Sequence, residues 1–271
     1  MKANETPPIL QEKHYDAPSA FTPESLLREA RRQKGAEPKP VPRLCILDPD
    51  GDIVRALRST GQARRNRDWA CYHTEMHLFD LDGQEAGIVG CAVGASFAVL
   101  VAEEMFASGC TLLISITSAG QLAAMEKLPC FVFIDRALRD EGTSYHYMPP
   151  AEFSQAPAHL VQALSGAFAG IGGPVLQGAT WTTDAPFRET AAAINAMTEL
   201  GLLAVEMEAA ALYAFAASKG RDVLCFAHVT NQMGQIEGDF EKGEADGATQ
   251  ALALISVVFC HLRTAQASSK R

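Results

Sequence analysis

Leu203-Ala204-Val205-Glu206-Met207-Glu208-Ala209-Ala210-Ala211-Leu212 carries an apolar run into two carboxylates separated by one methionine, and an alanine-rich, helix-favouring segment begins at once. The layout reads as a strand entering a helix, with Glu208 at the junction. Spacing alone admits two readings of the acids. They are first-turn carboxylates complementing a helix dipole, or groups presented to a ligand at a strand end. Residues two apart on a helix do not share a face, so the pair is not an acid/base dyad.

Outward from this stretch, short apolar runs alternate with helical patterns. Arg43 to Leu47 suits a buried strand stopped by Asp48-Pro49-Asp50-Gly51-Asp52, and a helical pattern follows through Ile53 and Leu57. Trp69 to Leu81 and Ala86 to Gly90 flank an Asp82-Gly83 turn and predict a hairpin. Gly94-Ala95-Ser96 opens a helix to about Ala107, and Thr111 to Ile116 is a doubly buried strand ending in a turn, Thr117-Ser118-Ala119-Gly120. Later strands are expected over 130–137, 175–183 and 223–230, and helices over 158–169, 187–200, 208–218 and 245–262. The segments 139–150 and 231–244 read as irregular and polar. Alternation of this kind predicts an α/β fold of three layers, α/β/α, around a central mixed sheet, with ligands collecting beyond strand ends. The turns at Gly94 and at Thr117-Ser118-Ala119-Gly120 could offer backbone amides to an anion or a sugar hydroxyl, or serve as ordinary turns.

Composition bounds the partners. The chain has 271 residues, 48% hydrophobic and 20% charged, so it can bury a large core. A formal net charge of -9 and a pI near 5.3 disfavour nucleic acid or an anionic membrane and favour a small molecule. Residues 1–42 hold seven of the fourteen prolines and one possible helix, 22–33, and read as an N-terminal arm. Residues 43–263 form the single expected domain, and 264–271 a flexible tail. Seven cysteines scattered singly suggest neither a disulfide framework nor a zinc site and fit a reducing cytoplasm. No metal or cofactor is implied, and the polar start and interrupted apolar runs predict a soluble, unexported protein.

The order of the pieces resembles the nucleoside phosphorylase family, and within it the uridine phosphorylase branch. The likeness rests on Thr117-Ser118-Ala119-Gly120, Gly178-Ala179-Thr180-Trp181-Thr182-Thr183-Asp184, Val205-Glu206-Met207-Glu208-Ala209-Ala210-Ala211, Val229-Thr230-Asn231 and the segment 139–150. It implies cleavage of a nucleoside N-glycosidic bond with phosphate as co-substrate. It also implies a homo-oligomer, from dimer to hexamer, with sites near subunit contacts. The breaking bond builds positive charge on the sugar, which a carboxylate accepting from the ribose hydroxyls would orient and stabilise. The resemblance gives that role to Glu208, with Met207 lining the sugar and Glu206 beside it. It places Gly94, Thr117, Ser118, Ala119 and Gly120 around the substrate, and makes Arg188 the catalytic partner for the base with Phe187 stacking. Trp181 is either core or a second stacker, and His14 would imitate a neighbour-supplied ribose contact. Asn231 stands where purine-type members have a protonating aspartate, which favours pyrimidines or 6-oxopurines over adenine.

The departures concern phosphate. Pro49 and Ile53 stand where the family's glycine and arginine align, Ser115 where a second arginine would lie, and Tyr72 where a neighbour's third would. Three aspartates crowd the same turn, so a dianion site should be poor unless Arg55, Arg64, Arg65 or Arg67 compensates. The ordered motifs and Glu208 make phosphorolysis the first expectation all the same. A hydrolytic nucleosidase on the same fold is the second, and a non-catalytic nucleoside-binding protein the third.

Overall fold

A computed structural model describes residues 6–125, 127–169, 171, 173–231 and 242–268. Leu44–Asp48 forms β1, every residue buried, and its alternating side chains enter two different cores, as a strand covered on both faces requires. Cys45 and Leu47 face helices α3 (Ala95–Ala107) and α6 (Ala209–Lys219), whereas Leu44 and Ile46 face α2 (Asp52–Ser59), α4 (Ala158–Ala163) and α7 (Ala248–Ser268). The three-layer α/β/α expectation is thus met, with helices on both faces of a mixed sheet.

The sheet comprises β1, β2 (Ala63–Arg65), β3 (Met76–Leu81), β4 (Gln84–Gly90), β5 (Leu112–Gln121), β6 (Cys130–Asp140), β7 (Phe153–Gln155), β8 (Val175–Thr183), β9 (Ala204–Glu206) and β10 (Asp222–Asn231). Their order is β10-β6-β8-β9-β5-β1-β4-β3-β2, with β7 on β6 and a further pairing of β10 with β5. That last pairing closes β5, β10, β6, β8 and β9 into a circuit, leaving β1, β4, β3 and β2 as an open wing. Tyr213 of α6 ties the circuit from one side, donating to the Ile134 carbonyl and accepting from the Cys225 amide.

Several boundaries differ from the sequence reading. Thr117-Ser118-Ala119-Gly120 is not a turn but the last part of β5. Its backbone stays paired to β10 (Thr117 with Ala227, Gly120 with Asn231) and, at Gly120, to Val205 of β9. Cross-strand partners override the turn propensity of small residues. The hairpin begins at Met76, not Trp69. The expected helix over 158–169 ends at Ala163, and that over 187–200 divides into a 3-10 turn, Pro186–Arg188, and α5, Ala191–Glu199, capped by Thr190. The final helix starts at Ala248 because Ala245 and Asp246 take positive φ, 50° and 54°, and it runs on to Ser268. Most of the polar loop 231–244 lies outside the described residues.

Helix α1, Pro23–Lys34, has Pro23 at its start, Thr22 as N-cap and Gly35 in the left-handed region at its end. Its Leu27 and Ala30 pack beside Ala70 and Ala107, so this part of the arm lies against α3. Helix α7 is the one described helix long and apolar enough to cross a membrane, and its Leu254, Ile255 and Val258 are fully buried in the core.

Candidate active site

The ends of β8, β9, β5 and β10 meet at one level. Asn231 pairs with Gly120, Gly120 with Val205, and Val205 with Trp181. Glu206 follows as the last residue of β9, and Glu208 as the N-cap of α6. The strand-to-helix junction read from the sequence is therefore present, and it brings Glu206, Met207, Glu208, Thr117 and Gly94 together.

The two glutamates are held in opposite ways. Glu206 Oε2 accepts from the Glu208 amide at 2.8 Å and the Ala209 amide at 2.7 Å, while Oε1 accepts from the Thr180 and Thr182 hydroxyls. Thr182 Oγ1 in turn accepts from the Ala210 amide at 2.9 Å. These contacts satisfy the first amides of α6, which a helix cannot satisfy itself. Glu206 is a buried clasp with its acceptors taken by protein donors.

Glu208 is 1% exposed, and its Oε1 accepts from the Gly94 amide at 2.7 Å. Gly94 presents that amide from a backbone with φ of 94°, a region that favours glycine. Oε2 of Glu208 is buried with no hydrogen-bond partner among the described residues. An unfilled carboxylate oxygen in such a setting is costly unless a donor arrives. Burial first, and then the Glu206 charge, push the Glu208 carboxyl up to about 8, with Asp50 adding to the rise and Gly94 and Thr117 opposing it. Burial likewise raises Glu206.

Ser118 has a partner that the sequence did not disclose. β1 pairs with β5 only as far as Ser115, and β9 joins β5 only at Gly120, so Ser118 lies where the strand has lost one neighbour and not yet gained the next. Asp50, from the turn after β1, fills this gap. Its carboxylate accepts from the Ser118 amide at 2.7 Å and the Ser118 hydroxyl at 2.8 Å. Lys242 bonds Asp52 and stands 3.9 Å from Asp50. Asp48 accepts from the amides of Gly51 and Val54, and burial, with Asp50 and Asp52 nearby, raises it to about 7.

Of the arginines raised as substitutes, Arg55 stays at the turn after β1, where it pairs with Asp52 beside Gly51. Arg64 and Arg65 instead pair with Glu85 and Glu75 on the far edge of the open wing, and Arg67 is exposed. Tyr72 donates to Gln33 of α1. Arg188 and Phe187 sit on the turn after β8, beyond the same strand ends as Glu208, but both are exposed, Phe187 at 98%. Trp181 is core, 3% exposed, and donates to Asp140. His14 is exposed beside Glu12, and its neighbour Lys13 reaches His146. Arg139, which the sequence reading passed over, organises the segment after β6. It is 4% exposed, donates to Ser144 and to the carbonyls of Met148 and Pro149, and lies over the Tyr145 ring.

The protein is thus a mixed α/β fold with one part of its sheet closed and a buried, half-satisfied carboxylate at a strand-to-helix junction beside small-residue strand ends. The chain belongs to the phosphorylase superfamily, whose family model matches residues 43–258. It is 25% identical over 185 residues to a guanosine phosphorylase of Halorubrum lacusprofundi, covering 68% of this chain and 70% of that one. Among solved structures it resembles a uridine phosphorylase of Vibrio fischeri ES114 complexed with 6-hydroxy-1-naphthoic acid. The TM-score is 0.65 and the identity 19%, over 82% of this chain and 90% of that one. A second structure of that protein gives a TM-score of 0.64, 20% identity and coverage of 82% and 91%.

Proposed function

We propose that the protein cleaves the N-glycosidic bond of a nucleoside and passes the pentosyl group to phosphate. The observation that carries the reading is the buried Glu208 carboxylate, with one oxygen on Gly94 and the other unfilled. A ribose hydroxyl donating to Oε2 completes its hydrogen bonding, and the ionised carboxylate then faces the charge that develops on the ring. The C1′–N bond breaks with its electron pair leaving on the base, and an acceptor oxygen bonds to C1′ and gives up its proton. Met207, half-buried beside Glu208, lines the sugar. Ala119 and Gly120 keep that wall small. Glu206 acts by holding the start of α6.

Hydrolysis is a second reading, favoured by Asp50 on the Ser118 donors. For the base, uridine and guanosine, named for the relatives, share a ring N–H beside a carbonyl. The Asn231 amide, 6% exposed at the end of β10, can both accept and donate to such an edge. Arg188 and Phe187 are the candidates that close over the base from the turn after β8. Assembly into a homo-oligomer, without metal or cofactor, belongs to the same proposal, and light scattering of the purified protein measures it.

The test is product analysis. The protein is incubated with uridine, guanosine, inosine and adenosine, with and without phosphate. Ribose 1-phosphate supports the first reading and free ribose the second, and binding without turnover would leave only a nucleoside-binding protein.

A further inference from the structure

The Asp50 carboxylate occupies a donor pair that any strand-end oxyanion would need. Its two oxygens take the amide and the hydroxyl of the same residue, Ser118, at 2.7 and 2.8 Å, which is the bidentate grip that a phosphate oxygen pair would receive. Ser118 directly follows Thr117, whose hydroxyl stands beside Glu208, so this grip adjoins the proposed sugar site. Resting on the reading of that site as a nucleoside-cleaving centre, we infer that Asp50 is an internal anion that competes with phosphate for Ser118 and thereby selects the acceptor.

Three features hold Asp50 in place. The turn is set by Gly51 at φ of 79°, where its N–H reaches Asp48. Lys242 supplies a counter-charge 3.9 Å from Asp50 while bonded to Asp52. The β5 edge leaves the Ser118 amide without a strand partner, so if Asp50 withdrew, another acceptor would have to come. The remaining space is small: a cavity of about 20 Å³ is lined by Asp48, Asp50, Asp52, Ser118 and His228 among others. That is room for about one water molecule, not for a tetrahedral dianion. His228 offers no cation, since burial and then Lys242 lower it to about 4, and its ring stacks on Phe131 at 4.5 Å. A dianion entering here would meet the charge of Asp50, while Asp52 is offset by Lys242 and Arg55, and it would find the seat on Ser118 filled.

The experiment is a calorimetric titration of inorganic phosphate into the full chain and its Asp50→Asn and Asp50→Ser variants, each checked for folding by circular dichroism. Asparagine keeps an acceptor for Ser118 and removes the charge, while serine vacates the seat. The expected order of affinity is wild type weakest, Asp50→Asn intermediate and Asp50→Ser strongest. The total gain is about 100-fold, the value of two charge-assisted hydrogen bonds. The gain should fall away in Asp50→Ser/Ser118→Ala. In turnover, phosphate should raise the yield of ribose 1-phosphate over free ribose more in Asp50→Ser than in wild type. Tight, saturable phosphate binding by the wild type, or no gain in either folded variant, overturns the inference. Nucleoside binding titrated separately keeps the two proposals apart. A wild type that binds no nucleoside sinks the nucleoside reading, and the phosphate series still decides the part played by Asp50.

Discussion

At the scale of single residues, Glu206 and Glu208 differ less in charge than in what completes them. Glu206 is satisfied by four protein donors, whereas Glu208 takes the Gly94 amide on one oxygen with the Thr117 hydroxyl nearby. Replacing Glu208 by glutamine should leave the fold intact and lower kcat/KM by at least about 100-fold, since the lost charge acts in the transition state. A folded variant with near-normal turnover would remove Glu208 from the site. The pH response follows from its raised carboxyl. The folded state binds the proton more tightly than the unfolded chain, whose value is near 4.5. Stability from this group is thus complete below that value and fades as pH rises through about 8. Glu208→Gln should therefore gain stability over wild type as pH rises from 5 to 8, on the order of a few kcal/mol, read from urea melts. Turnover that needs the ionised form should climb over the same window. In Asp50→Asn that limb should move to lower pH, because one of the charges opposing ionisation is gone.

At the scale of elements, the junction between β9 and α6 depends on side chains from β8. Thr180 and Thr182 reach Glu206, and Thr182 also meets the Ala210 amide. Glu206→Ala leaves two helix amides and two hydroxyls without their acceptor, and should cost about 2–4 kcal/mol in chemical denaturation. An unchanged midpoint would show that Glu206 does not clasp the helix. A second element contact lies at the start of α7, where Gly247 has φ of 80° and a Cβ would come 2.2 Å from the His228 ring. Gly247→Ala should therefore lower the melting temperature by several degrees, combining backbone strain with displacement of His228.

At the scale of the whole molecule, β5 is the axis. It pairs with β1, β10 and β9, and it passes from the open wing into the closed circuit at Ser118. Hydrogen exchange should be slowest for amides of β5 and β10, and fast in the 186–188 turn and in residues 6–22 ahead of α1, measured by mass spectrometry. Fast exchange along β5 would contradict its position at the centre of the sheet.

Period and propensity were enough to place the helices on both faces of the sheet, because Leu44 to Leu47, Leu112 to Ile116 and Val223 to Phe226 are apolar on both sides and need two cores. The ordered motifs around Val205-Glu206-Met207-Glu208 marked the family and the acidic junction, and the aspartates after β1 raised the expectation of a poor phosphate site. Closure of the strands into a circuit was not legible, since the β10–β5 and β9–β5 pairings join residues far apart in the chain and leave no local pattern. For the same reason the sequence could not bring Asp50 onto Ser118, and although the contacts of Glu206 with the helix start and of Arg139 with its segment are local, no periodicity marks them. Local spacing by itself determined the elements and the acids at their ends. Only the tertiary structure decided which acid was already satisfied and which was left with an oxygen to fill, because the donors that distinguish them, Thr180 and Thr182 for Glu206 and Gly94 for Glu208, come from distant parts of the chain.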